Sequence, residues 1–242
     1  MTEPETQTVP NLLPMLIPAD FLSGALLPWI LATPALPLAV MLFRRPSFSP
    51  MNVALLLMCT ATMLTNFYFN LLFKTPEQID SQTYLLGVIV EFGLSMAMLL
   101  NSTENRLLKG VLLGTAVMYI VALLAILLIA IDDVRIDIVL AIGYTLVFAF
   151  ALLVLFQTAR DHPSVFLTGV PAFWMASGLL LHYGVIALLL YSHPGTEPGE
   201  WMLDEGFAWV YTVVNLLRFM LFSAALLAGL TEEAPLQREA RA

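Results

Sequence analysis

Seven stretches of this chain are each long and apolar enough to cross a bilayer as a helix, at residues 21–43, 51–73, 82–100, 107–131, 136–157, 168–191 and 206–230. A helix rises about 1.5 Å per residue, so about 20 residues cover the hydrocarbon layer. Only 12% of residues are charged and 60% are hydrophobic, with a mean hydropathy of +0.87. Soluble domains carry about twice that charged fraction. The pattern predicts an all-α polytopic membrane protein, a bundle of seven transmembrane helices in a cell membrane.

The links between runs are short, and none could hold a soluble domain. The expected organisation is a tail over 1–20, one transmembrane domain over 21–230 and a charged tail over 231–242. The first tail carries Glu3, Glu5 and Asp20 without Lys or Arg, the reverse of a cleavable signal. Prolines at 10, 14 and 18 make it a poor regular helix, suited to lying at the interface. Pro28, Pro34 and Pro37 predict that the first run is kinked or begins later than its hydropathy indicates.

Basic residues near helix ends set the expected orientation. Arg44, Arg45, Arg106, Lys109, Arg160, Arg238 and Arg241 fall on one side, and only Lys74 and Arg135 on the other. The N-terminus is therefore expected outside and the C-terminus in the cytoplasm, as in a bacterial inner membrane. Trp29, Tyr84, Tyr191, Trp201 and Trp209 then sit near the outer interface, where an aromatic belt belongs. The net charge of -8 lies mostly in tails and loops. That disfavours nucleic acid as a partner, which needs a clustered basic surface.

Two charges break the apolar pattern. Glu91 in the third run and Arg218 in the seventh are the only Asp, Glu, Lys or Arg deep inside any run. A charge at mid-membrane is costly, so two of opposite sign should meet or face water. Polar residues on other runs fall at similar depth. Counted inward from the outer ends, Asn66, Glu91, Tyr144, His182 and Asn215 lie roughly 10–14 Å down and Arg218 about 18 Å. They define a candidate polar core, or a ligand or proton site, with Ser95 and Gly87 on the Glu91 face and Tyr211 on the Arg218 face. The same marks would be left by hydrogen-bonding glue and a register-fixing ion pair.

Sharper chemistries find no support. Retinal needs a Schiff-base lysine, and the only cation of the seventh run is Arg218, which cannot form an imine under ordinary conditions. His162, His182 and His193 fall at three different levels, so no metal ligand set is expected. Cys59 is the single cysteine, which excludes an intrachain disulfide and a thiolate cluster. No catalytic motif and no cofactor site is found. Gly110-x-x-x-Gly114 is a motif suited to close packing or a homo-oligomer contact.

The stretch Pro171-Ala-Phe-Trp-Met-Ala-Ser-Gly-Leu-Leu-Leu-His-Tyr183 is similar to a segment of a poorly characterised group of bacterial seven-helix membrane proteins. In those, a Phe-Trp pair is followed by small residues and a tyrosine. Residues 209–222, with a central Asn215, resemble their last helix. Such proteins accompany two-component histidine kinases, so the resemblance implies membrane sensing with a kinase or other regulator as partner. It covers about a quarter of the chain; His182 and Arg218 lie within these stretches but are not among the features that carry the resemblance. A sensory or signalling module is the first expectation, a small-solute or proton-coupled transporter using Glu91 and Arg218 the second. An enzyme acting on lipid, with His182 beside Glu91, is the third.

Overall fold

A computed structural model describes residues 33–44, 49–72, 81–129, 136–162, 166–192 and 205–239. Among them the regular structure is entirely helical: α1 (Ala35–Arg44), α2 (Pro50–Leu72), α3 (Ser81–Ser102), α4 (Arg106–Ile129), α5 (Ile136–Asp161), α6 (Pro171–Ser192) and α7 (Glu205–Glu239). A single 3₁₀ turn, Leu167–Gly169, precedes α6. Segments of α3 to α7 are long and apolar enough to span a bilayer, while the apolar part of α2 described here is the shorter Pro50–Thr65. The chain has the construction of a multi-pass membrane protein.

The helix starts follow from local chemistry. Ser49 precedes Pro50, and its Oγ accepts the Asn52 amide at 3.2 Å, capping α2 while proline occupies a position that needs no donor. Asn105 caps α4 through Oδ1, which accepts from the amides of Leu107 and Leu108 at 3.0 and 3.3 Å. Val170 is extended, as a residue before proline prefers, and α6 begins at Pro171. Trp174 then reaches back to donate to the Thr168 carbonyl at 2.7 Å, fastening helix to turn. The first apolar run is helical only from Ala35 among the described residues, after a turn at Thr33 and Pro34. Pro28 and the residues around it lie outside those described, as do Trp29, Trp201 and the side chain of Tyr84. The last helix continues to Glu239, beyond the apolar run's end at residue 230; the Glu, Ala, Leu, Gln and Arg of this extension favour helix, whereas Pro235 within it does not.

The chief neighbours of α3 are α2, α4, α5 and α6, and those of α7 are α6 and α1. The core is carried by large side chains of these central helices, with Met58, Met96, Leu99, Leu179, Phe219 and Phe222 fully enclosed. The spanning part of α4 is only 22% buried, against 50% for α6 and for α7. Val111, Val117, Met118, Val121 and Leu128 of α4 face outward, as residues meeting lipid tails should. Trp209 and Tyr191 are also exposed, in keeping with an interfacial position.

Glycines mark where helices come close. A Cβ on Gly143 of α5 would strike the ring and hydroxyl of Tyr119 from α4. That tyrosine donates to the Val139 carbonyl at 2.8 Å and packs on Phe92 with ring centroids 4.4 Å apart. A Cβ on Gly184 of α6 would lie 2.7 Å from Phe148 of α5. The Gly110 and Gly114 pair has no such neighbour: nothing lies within 4 Å of either position, and both are exposed on α4. Gly87, half-buried and placed by the sequence on a close-packing face, also has nothing within 4 Å among the described residues.

Candidate functional site

The two intramembrane charges meet. Arg218 Nη1 donates to Glu91 Oε1 at 2.5 Å, joining α7 to α3 across the bundle. Since α3 and α7 pack chiefly on other helices, long side chains bridge them. Arg218 is completely buried, whereas the Glu91 side chain keeps 24% of its surface exposed. The guanidinium carbon also sits 4.8 Å from the centroid of the Phe219 ring, a favourable cation–π position.

His182 of α6 completes a triad. Its Nε2 lies 3.7 Å from the same carboxylate oxygen, Oε1, beyond direct hydrogen-bond reach but within strong electrostatic range. The ring is held edge-on against Tyr183 at 5.0 Å and Tyr211 at 5.8 Å. A neutral imidazole carrying its proton on Nε2 suits the carboxylate and leaves Nδ1 as an acceptor.

A hydroxyl pair ties α3 to α6 beside the triad. Ser95 Oγ donates to its own helix at the Glu91 carbonyl, 2.8 Å away, and shares a 2.6 Å hydrogen bond with Tyr183 Oη. Serine has one proton and spends it on the carbonyl, so Tyr183 is the donor to Ser95. Tyr144 of α5 packs on Tyr183 with centroids 5.4 Å apart. Tyr183→Phe removes one interhelical hydrogen bond and leaves the ring contacts. It is expected to cost about 0.5–2 kcal/mol, the usual worth of such a bond between membrane helices, measured as a lowered unfolding midpoint in detergent.

The triad is incompletely satisfied. Buried hydroxyls elsewhere resolve their needs locally: Thr158 donates to the Val154 carbonyl, and Ser223 to that of Phe219. By contrast His182 Nδ1, Asn215 Oδ1, Arg218 Nε and Arg218 Nη2 are buried without a hydrogen-bond partner among the described residues. Asn215 lies one turn before Arg218 on the same face of α7 and is 2% exposed.

The polar residues expected at one level are thus distributed as follows. Glu91, Arg218 and His182 come together, Asn215 joins them on the α7 face, and Tyr144 reaches the group through Tyr183. Asn66 belongs to the helical backbone of α2, and its side chain lies outside the described residues. Ser95 enters as the link to Tyr183 rather than as a packing residue. Tyr183 is the residue that sequence reasoning missed: it stands beside His182, and nothing in a linear pattern says that both adjacent positions reach α3, one toward Glu91 and the other toward Ser95. Among the described residues no group of three His, Cys, Asp or Glu could hold a metal ion. No protein-family model, curated protein or solved structure matches this chain, so the role of the centre has to be read from its own chemistry.

Proposed function

We propose that the chain is a sensory or signalling module of a bacterial inner membrane, in which the Glu91–Arg218–His182 centre responds to a small ligand arriving from outside. Helix movement passes the response to a cytoplasmic or membrane partner such as a histidine kinase. In this reading the chain crosses the bilayer seven times, with its N-terminus outside and its C-terminus in the cytoplasm. Impermeant maleimide should then label Asp133→Cys but not Asn105→Cys in intact cells, in a Cys59→Ser background. The reverse pattern would refute the orientation.

One observation carries the functional reading: four polar atoms of the centre are buried without partners among the described residues, beside an ion pair. Glue would be expected to satisfy its own groups, because an unpaired polar group in a low-dielectric interior is costly. Intramembrane charge is kept where it has a task. The helices α3 and α7 pack chiefly on other helices and are bridged by the Arg218–Glu91 pair, which makes them an element able to separate.

Purification of the full chain from native membranes in mild detergent should recover a kinase or another regulator with an output domain. Recovery of none would remove the signalling reading. The ion pair also fits a transporter, with Glu91 and Arg218 as a charge-compensated substrate or proton site. Uptake into proteoliposomes that Glu91→Gln abolishes would establish that second reading.

A further inference from the structure

The partnerless atoms of the centre are complementary to one kind of ligand. An arginine side chain presents Nε and Nη2 side by side along one edge, the fork that grips a carboxylate with two parallel hydrogen bonds. Glu91 occupies Nη1, so that edge is left over, fully buried and without a partner among the described residues. Asn215 Oδ1 and His182 Nδ1, the other two partnerless atoms, are acceptors once the His182 proton is on Nε2. A ligand that satisfies all four must accept at one end and donate at the other.

Charge narrows the choice. Arg218 and Glu91 cancel, and a neutral His182 adds nothing. A bare carboxylate would bring an unbalanced negative charge into the bundle, and a bare ammonium an unbalanced positive one. A ligand that carries both brings none.

We propose that the centre binds a small zwitterion of the amino-acid class. Its carboxylate lies on the Nε–Nη2 edge of Arg218, and its ammonium donates to Asn215 Oδ1 and His182 Nδ1. Glu91 is the member of the triad that reaches the bundle surface, which makes its side the entrance. The four atoms are sealed in the conformation described, so binding requires α3 to move from α7. That movement is the one the signalling reading needs, and the proposal rests on that reading of the centre as a ligand site.

The test uses the full chain purified in mild detergent, with its unfolding midpoint followed by tryptophan fluorescence. Alanine, leucine and phenylalanine serve as zwitterions; leucinamide lacks the carboxylate, and 4-methylpentanoate lacks the ammonium. At least one zwitterion should raise the midpoint saturably, and neither incomplete analogue should do so. Arg218→Lys keeps a cation beside Glu91 but presents no fork, so it should abolish the shift. Should that variant fail to fold, Asn215→Leu serves instead. It removes a partnerless acceptor, so it should raise the midpoint without ligand while weakening the zwitterion by about tenfold or more, the worth of a hydrogen bond to a charged group. No response to any zwitterion overturns the proposal, as does an equal response to either analogue or an unchanged response in Asn215→Leu.

No partner is present in this assay. Zwitterion binding without a recovered regulator would therefore sink the signalling reading and keep the site. A recovered regulator without zwitterion binding would do the opposite.

Discussion

Glu91→Gln is expected to destabilise the protein by about 3–5 kcal/mol, the usual cost of stranding one member of a buried ion pair. The substitution preserves volume and removes only the charge, so packing changes cannot account for the loss. Arg218 would remain completely buried, with its cation–π contact to Phe219 as the chief compensation. A guanidinium cannot shed its proton to escape. The opposite variant, Arg218→Gln, is expected to be milder. It leaves a carboxylate that is 24% exposed rather than sealed in the bundle. This asymmetry distinguishes an ion pair with one sealed and one accessible partner from a symmetric one. Thermal unfolding of both variants in the same detergent reads it directly, and equal losses would contradict the burial described here.

The second large effect is expected at Gly178, where α6 and α7 touch. A Cβ there would lie 3.0 Å from Phe222 Cε1 and 3.2 Å from the Arg218 carbonyl oxygen. The phenylalanine ring can shift slightly, but the carbonyl belongs to the backbone of α7 and moves only with the helix. Gly178→Ala should therefore cost about 1–3 kcal/mol, in the range of an overpacked core, and Gly178→Leu more. The displaced carbonyl is that of Arg218 itself, so the damage reaches the ion pair as well as the packing. Gly87→Ala and Gly114→Ala are the controls. Among the described residues nothing lies within 4 Å of a Cβ at either position, so both should be neutral or gain the helix preference of alanine, about 0.5–1 kcal/mol. A loss at Gly114 comparable to that at Gly178 would point to a contact outside the single chain.

The parts of the molecule legible in the sequence are those fixed by strong, local rules. Apolar runs bounded by charged links place α2 to α6 within a few residues of their observed ends, because a helix in lipid has little choice of length or form. The meeting of Glu91 with Arg218 was legible for a similar reason: neither charge has another partner of opposite sign at its depth. Rotation about each helix axis is where the sequence becomes silent. Gly87 and Gly178 read alike, as small residues on polar faces, yet among the described residues only Gly178 of the two meets another helix. His182 and Tyr183 are adjacent, and which reaches Glu91 and which reaches Ser95 depends on how α6 turns between α5 and α7. Depth placed Tyr144 at the level of the centre, but it could not reveal that its contact is with the Tyr183 ring. The partnerless edge of Arg218 is a fact of three-dimensional satisfaction and has no linear signature.

The pairing of Glu91 with Arg218 at the centre of the bundle is tested most directly by a double-mutant cycle with Glu91→Gln, Arg218→Gln and both together, read as unfolding free energy in one detergent. Paired charges predict that the double variant is less damaged than Glu91→Gln alone, with a coupling energy of about 2 kcal/mol or more. Costs that add to within about 0.5 kcal/mol would show that the two residues act independently, and the centre described here would not exist.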